Sequence, residues 1–185
     1  MKSIFKIFTA LVIVFTFLAS DVSAQTMMGA PFQKGDKIGQ LGIGFGFYGT
    51  YGSAGMPPIS AGFQYGIEDK ISIGGIMAYT TSTEDFGFND SYSWKYSYFL
   101  IGARGEYHFL EDVENLDGYA GLTLGYTVVS VTEPTGVLGN FSASGSYAFF
   151  GFHGGVRYYF NPRFAVFGEV GYGLGFITAG VAYKF

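Results

Sequence analysis

The sequence predicts an all-β chain that folds as an eight-stranded antiparallel up-and-down transmembrane β-barrel. The first observation is composition: hydrophobic residues make up 49% of the 185 residues, and charged residues only 13%, about half the usual globular share. The second is that no stretch after residue 24 reaches the roughly 18 apolar residues that a transmembrane helix requires. The third is a period-two alternation of apolar and small or polar residues, typical of strands with one apolar face. An apolar chain without a spanning helix crosses a membrane as a closed barrel.

Residues 1–24 have the features of a cleaved secretory signal peptide. Lys2 and Lys6 supply a positive start, an apolar run follows, and Val22-Ser23-Ala24 supplies a cleavage site of small residues. The apolar run is too short to remain as a membrane anchor. We therefore expect the chain to be exported through the periplasm.

The rest of the chain divides into a short periplasmic lead, 25–37, and an outer-membrane β-barrel, 38–185. Clusters of glycine, proline and polar residues separate the alternating segments. We expect strands at 38–48, 58–66, 71–80, 96–109, 118–130, 145–160, 164–173 and 175–185. Connections are longer after the first, third and fifth strands and shorter after the second, fourth and sixth, which places both termini in the periplasm and the long loops outside.

The alternation also predicts which face of each strand meets lipid. In the fourth strand Phe99 and Ile101 share one parity, whereas Arg104 and Glu106 share the other with glycine. An arginine that faces lipid at mid-membrane costs about 2–4 kcal/mol, so the charged face should line the lumen. The competing architecture is a soluble eight-stranded barrel such as a lipocalin, which would need the opposite polarity.

The inward charges form a candidate site in the lumen. The predicted lumen charge network comprises Arg104, Glu106, His153, Arg157, Glu169 and Lys184. Eight strands leave room only for side chains, and buried charges need partners, so we expect paired charges to fill the lumen. The alternative is that these residues, with His108, form a binding or proton-relay cluster.

The last eleven residues alternate strictly and finish on an aromatic residue. Their spacing, Thr178-x-Gly180-x-x-Tyr183-x-Phe185, resembles the terminal signal of bacterial outer-membrane barrels. Together with the lead Phe32-x-Lys34-Gly35-Asp36-Lys37, it gives the chain a resemblance to the small OmpA/OmpX-like outer-membrane β-barrel family (outer membrane protein beta-barrel domain). The resemblance implies an integral protein of a Gram-negative outer membrane, surrounded by lipid and lipopolysaccharide. It also implies that Gly180, Tyr183 and Phe185 form an assembly signal read by the barrel-insertion machinery.

The outside loops are the remaining functional surface. The polar stretch 81–95 carries aromatic side chains among acidic residues, and its possible contacts to an extracellular ligand are Phe86, Phe88, Tyr92 and Trp94. A solvated loop against lipopolysaccharide head groups is the competing interpretation. We expect a structural, adhesive or surface-interaction role through the loops. The alternative is a narrow porin-like channel for small solutes or ions.

Other functional classes find little support in the residues. The glycines at 44–49 fit GxGxxG, but they lie in a predicted strand with no helix after it, so they do not predict a dinucleotide site. A lipid-modifying serine hydrolase would have to use His108 or His153, and neither has an HxS pattern at a lipid-facing rim. We therefore expect no catalytic residues and no enzyme activity. Without cysteine, and with a net charge of -4, the chain also suggests no cofactor, no metal and no nucleic-acid partner.

Overall fold

The computed structural model describes residues 31–46, 53–86, 92–110, 113–132, 142–173 and 175–185. The signal peptide and Phe88 lie outside the described residues, as do the side chains of Phe86 and Tyr92. The cleavage of residues 1–24 therefore stays a prediction.

The described residues form eight strands that close into an antiparallel barrel. The strands are β1 (Lys37–Phe45), β2 (Ser53–Glu68), β3 (Ile71–Phe86), β4 (Tyr92–His108), β5 (Leu116–Thr132), β6 (Ser142–Tyr159), β7 (Phe164–Tyr172) and β8 (Ile177–Lys184). Each strand pairs with its neighbours in chain order, and β1 pairs with β8, so the sheet closes on itself. The predicted fold class is confirmed. We call the end where β1 begins and β8 ends the terminal mouth, and the opposite end the far mouth.

The seam between the first and last strands requires glycine at its centre. Gly42 and Gly180 are direct partners across β1 and β8. A Cβ on Gly180 would lie 2.0 Å from the carbonyl oxygen of Leu41 and 2.7 Å from the ring of Phe167 inside the barrel. Because the carbonyl belongs to the ladder that closes the barrel, only a residue without a side chain fits at position 180.

The large apolar side chains on the outside of the barrel are exposed, whereas the inside holds the buried charged and polar side chains together with a smaller apolar cluster that includes Ile38 and Phe167. Leu124 is 63% exposed and Leu41 60%, yet Arg157 is 0% exposed and Thr123 2%. This polarity is the inverse of that in a soluble barrel, because the charged groups are the ones removed from the surface. It matches an outer wall that is solvated by lipid chains.

The strands reach further toward the far mouth than the sequence predicts. Residues 81–86 and 92–95, predicted to lie in a loop, are the paired ends of β3 and β4. Residues 131–132 and 142–144 likewise extend β5 and β6. The prediction of loops was wrong here because serine, threonine and tyrosine occupy both faces. These residues suit strands but leave no apolar alternation to detect.

Other strand ends also differ, and they make one wall of the barrel taller than the other. β2 begins at Ser53 rather than at 58, and β1 ends at Phe45 rather than at 48. Strands β2 to β6 have 16 to 18 residues each, but β1 and β7 have 9 and β8 has 8. The far mouth is therefore bounded by five long strands on one side and by short strands on the other.

Candidate functional site

Arg157 stands at the centre of a buried layer of charges in the lumen. Its Nη1 donates to Asp117 Oδ2 at 2.9 Å, and its Nη2 donates to Glu106 Oε2 at 2.8 Å and to Gln40 Oε1 at 3.2 Å. Its guanidinium carbon lies 3.8 Å from the centroid of the Tyr119 ring. The side chain is fully buried, so these contacts replace the hydration that burial removes.

Arg104 forms a second centre, closer to the far mouth. Its Nη2 donates to Glu169 Oε2 at 2.7 Å, and its Nε donates to His153 Nε2 at 3.0 Å. The same Nε lies 3.2 Å from Glu106 Oε1. Glu169 also accepts a hydrogen bond from the Tyr119 hydroxyl at 2.7 Å. Since Glu106 contacts both guanidinium groups, it joins the two centres into one network.

We call this network the charge layer, which consists of Gln40, Gln64, Arg104, Glu106, Asp117, Tyr119, His153, Arg157 and Glu169. Gln64 completes it, because its Nε2 donates to Glu106 Oε1 at 3.0 Å. Buried ion pairs offset the cost of desolvation only when their geometry is good and their remaining hydrogen bonds are made. The distances within the charge layer are those of good ion pairs, but Gln64 Oε1, Arg104 Nη1 and Arg157 Nε are buried without a hydrogen-bond partner in the structure. The layer therefore fills the lumen while keeping part of the desolvation cost.

Most residues predicted for the lumen network come together in the charge layer: Arg104, Glu106, His153, Arg157 and Glu169. Lys184 does not join them, because it lies at the terminal mouth. Its Nζ donates to Asp36 Oδ2 at 2.8 Å and also to the carbonyl oxygen of Pro31. Parity places Lys184 on the inner face, but parity carries no information about depth along the barrel axis.

The predicted lumen network lacks four members of the charge layer, namely Asp117, Tyr119, Gln40 and Gln64. The predicted fifth strand begins at residue 118 and leaves Asp117 in the connection before it, whereas Asp117 lies in β5 and is the direct cross-strand partner of Arg157. The signal that could have found them is parity. Asp117 shares the parity of Tyr119, and both glutamines have the inward parity of their strands.

A second polar cluster lies between the charge layer and the terminal mouth. His108 Nε2 is 3.0 Å from Ser72 Oγ, and His108 Nδ1 is 2.7 Å from Asp117 Oδ1. The contacts from serine to histidine to aspartate follow the same order as nucleophile, base and carboxylate in the catalytic triad of serine hydrolases. Here, however, Ser72 has no exposed surface, and the Phe32 ring stacks on the imidazole with ring centroids 3.5 Å apart. No substrate can reach the serine in this structure.

The sequence shows no serine close to His108 along the chain, because Ser72 contacts His108 from the neighbouring strand. Ser72 pairs with Glu106, two residues before His108. Inward-facing side chains on adjacent strands meet diagonally in this way, but the register that brings them together is not visible in the sequence. The absence of enzyme activity stays a prediction.

A small cleft adjoins the charge layer on the side of the far mouth. Among the residues that line it are Arg104, Thr123, Phe149, His153 and Glu169. Its free volume is about 10 Å³, which is about the space that one water molecule needs. The described part of the lumen is thus filled by side chains at this level.

The far mouth carries a sheet that stands above the short wall. The described pairing of β6 with β7 begins at Phe152, whereas β6 pairs with β5 as far as Ser142. The described pairing of β1 with β2 ends at Ile59, whereas β2 pairs with β3 as far as Ser53. We call this region the protruding sheet and define it as residues 53–58, 80–86, 92–98, 129–132 and 142–151. Among the residues that the structure describes, its two outer strands, β2 and β6, extend beyond the pairing with β1 and β7.

Trp94 lies in the protruding sheet rather than in a loop. It is the direct partner of Glu84 across β3 and β4, and its side chain is half-buried. The other aromatic residues predicted for loop contacts are Phe86 and Tyr92, whose backbones belong to the same two strands, and Phe88, which lies outside the described residues. These loop contacts stay a prediction.

Two features do not occur in the described part of the chain, namely a metal-binding cluster and a membrane-spanning helix. It contains no group of three or more histidine, cysteine, aspartate or glutamate residues placed to hold a metal ion. It also contains no helix that is long and apolar enough to cross a bilayer.

Comparisons with known proteins bear on the fold. No protein-family model and no curated protein matches the chain. The chain is similar to Ail, the attachment invasion locus protein of Yersinia pestis, in its complex with the heparin analogue sucrose octasulfate. The TM-score is 0.52 and the identity 15%, over 82% of this chain and 99% of that one. Another crystal structure of Ail gives a TM-score of 0.47 and 16% identity, over 82% and 99%.

The N-terminal β-barrel domain of Pseudomonas aeruginosa OprF is also similar, with a TM-score of 0.49 and 16% identity, over 83% of this chain and 98% of that domain. Identities of this size inform on the fold alone. The fold is that of small outer-membrane barrels, and the predicted resemblance is confirmed at that level.

Proposed function

We propose that this chain is an integral barrel of a Gram-negative outer membrane whose function is surface interaction or adhesion through the protruding sheet. The observation that carries the proposal is the difference in strand length. About 9–11 residues suffice for a tilted strand to span the hydrocarbon core. Strands β2 to β6, with 16 to 18 residues, exceed that need, while β1, β7 and β8 do not. The additional residues of β2 to β6 therefore extend outside the membrane.

The orientation follows from the connections. Both ends of the barrel lie at the terminal mouth, and two of the three turns there are short, with two residues between β2 and β3 and four between β6 and β7, as in the periplasmic turns of transmembrane barrels. The protruding sheet then faces the cell exterior. At the periplasmic end, the Tyr183 ring contacts those of Phe164 and Phe185, with centroids 4.7 and 5.0 Å apart. This aromatic cluster, with Gly180 at the seam, is the proposed signal for the insertion machinery.

The two outer edges of the protruding sheet differ in sequence. The edge on β2 contains Pro57 and Pro58, which lack N–H donors and discourage pairing with another strand. The edge on β6, residues 142–151, has neither proline nor charge. Natural proteins usually protect a free edge with charges or proline. The unprotected β6 edge therefore fits a partner that adds an extended strand to the sheet.

The charges of the protruding sheet favour a protein partner over a sulfated sugar. Within its range the sequence has Glu84, Asp85 and one cation, Lys95. A polyanion such as the heparin analogue bound to Ail needs several cations on the surface that receives it. A partner that adds a strand is held mainly by main-chain hydrogen bonds, so it needs no such charges.

Selection of strand-forming peptides tests this proposal. A phage library of ten-residue peptides would be selected against the purified barrel in lipid nanodiscs, and amide hydrogen exchange would locate the binding site. We expect the selected peptides to protect residues 142–151 and to lose binding in Ser144→Lys. Ser130→Lys is the matched control, because Ser130 is the cross-strand partner of Ser144 but lies on β5, inside the sheet. Protection elsewhere, or equal loss in both variants, would contradict the proposal.

The second candidate is a narrow channel for small solutes or ions. The charge layer gives the lumen a polar lining, which a channel needs. The same layer leaves space for about one water molecule beside Arg104, so conduction would require its rearrangement. We therefore place the surface role first.

A further inference from the structure

Residues 31–36, which precede β1, fold across the terminal mouth, and we call them the latch. Phe32 is 4% exposed, and its ring lies nearly parallel to that of His108, with 4° between the planes. Backbone hydrogen bonds tie the latch to β2, because Gly35 N donates to Gly66 O at 2.8 Å and Gly66 N donates to Asp36 O at 2.9 Å. The latch thus places an aromatic ring over the end of the lumen.

Two lysines hold the latch from opposite sides. Lys184 of β8 donates to Asp36 and to the Pro31 carbonyl, and the Lys184 and Asp36 side chains are only 16% and 12% exposed. Lys34 pairs with Glu68 at 3.0 Å, and the hydrogen bond from its ammonium raises the pKa of Lys34 above the ordinary value. That pair is 59% and 62% exposed, so solvent screens it and it contributes little. Lys184 is the stronger attachment.

The terminal end of β2 leaves room for the latch at Gly66. A Cβ there would lie 2.6 Å from the carbonyl oxygen of Gln33, 3.1 Å from the Phe32 ring and 3.3 Å from Gly35 N. All three atoms belong to the latch, so an alanine at 66 would push against the latch and leave the barrel wall in place. A Cβ on Gly168 of β7, by contrast, would meet no atom within 4 Å.

We propose that the latch is a lid for the terminal mouth, which controls whether solvent reaches the polar cluster of Ser72 and His108. Its buried ion pair, between Asp36 and Lys184, joins it to the last strand, and its backbone hydrogen bonds with Gly66 join it to β2. This proposal does not depend on what the protruding sheet binds, and its test leaves that question untouched.

Thiol labelling tests the lid directly, because the chain has no cysteine of its own. Ser72→Cys puts a single thiol at a position with no exposed surface beneath Phe32. The full-length protein in lipid nanodiscs would be treated with a charged methanethiosulfonate reagent, alone and with Phe32→Ala, Gly66→Ala or the control Gly168→Ala. Arg163→Cys, at the exposed turn before β7, gives the rate for an open thiol.

We expect the thiol at position 72 to be labelled at least about tenfold faster when Phe32→Ala or Gly66→Ala is added than in Ser72→Cys alone, since local opening limits access to a buried group. Adding Gly168→Ala should leave the labelling rate of Ser72→Cys unchanged. The proposal is overturned if the thiol at 72 reacts as fast as that at 163, or if the latch variants label no faster than Gly168→Ala.

A second measurement covers the case in which the cysteine variants fold poorly. Trypsin cleavage after Lys34 reports release of the latch in a chain that keeps Ser72. We expect Gly66→Ala to be cleaved at this site faster than the unaltered chain, and Gly168→Ala to be cleaved at the unaltered rate. Equal rates in all three proteins would overturn the proposal.

Discussion

Arg157 Nη2 and Glu106 Oε2 meet at 2.8 Å inside the lumen, although the two residues are 51 positions apart and come from strands that do not pair with each other, β6 and β4. Both side chains have no exposed surface. A pair of this kind forms only when β4 and β6 hold their register relative to each other, because a slip of one residue would turn each side chain to the lipid face. The pair therefore forms, and fills this part of the lumen, only when the strands are in this register.

Removal of one partner should be costly. Arg157→Met leaves Asp117 without its guanidinium partner and Glu106 with Arg104 alone, and we expect it to lower the free energy of unfolding by about 3–5 kcal/mol. Urea unfolding in lipid vesicles, followed by circular dichroism, measures the loss. Arg163→Met is the matched control, because Arg163 is exposed in a turn, and it should change stability by no more than about 0.5 kcal/mol. Similar losses in both variants would mean that the charge layer is not stabilising.

The seam glycine gives a second prediction. Gly180→Ala puts a Cβ at 2.0 Å from the carbonyl oxygen of Leu41, so β8 can no longer pair closely with β1. We expect little or no folded barrel in refolding from urea into vesicles, as judged by protection from added protease. Gly168→Ala, which adds the same methyl group where no atom lies within 4 Å, should refold like the unaltered chain. Normal refolding of Gly180→Ala would show that the seam tolerates a side chain.

The single tryptophan tests where the protruding sheet lies. Trp94 is the only tryptophan in the sequence, so its fluorescence reports one position without any substitution. Because Trp94 pairs with Glu84 above the short wall, we expect iodide in the aqueous phase to quench it. Lipids brominated on their acyl chains should quench it weakly. The opposite pattern would place this part of β4 inside the bilayer and remove the basis for a sheet that stands outside the membrane.

The parts of the fold that could be predicted from the sequence are those where one face of a strand meets lipid. Around Arg104 and Arg157 the alternation is sharp, because a charge on the wrong face is expensive, and there the faces were predicted correctly. Above the membrane that constraint disappears. The ends of β3 and β4 are polar on both sides, and their strand character was therefore missed.

The candidate site shows a similar limit. Parity identified Arg104 and Glu106 as inward, but the contact of Ser72 with His108 depends on the register between two strands, which no single strand encodes. The latch was assigned only as a lead. Its contacts link Phe32 and Asp36 to β4 and β8, which are distant in sequence, and the lead itself has no periodic pattern that would reveal them.

Conductance of the purified barrel in a planar lipid bilayer tests most directly whether the charge layer fills the lumen. The pairing of Arg157 with Glu106 and Asp117, and the space beside Arg104 for only about one water molecule, predict a bilayer that stays closed under applied voltage. Stable single-channel openings in the unaltered protein would contradict this account and favour the channel.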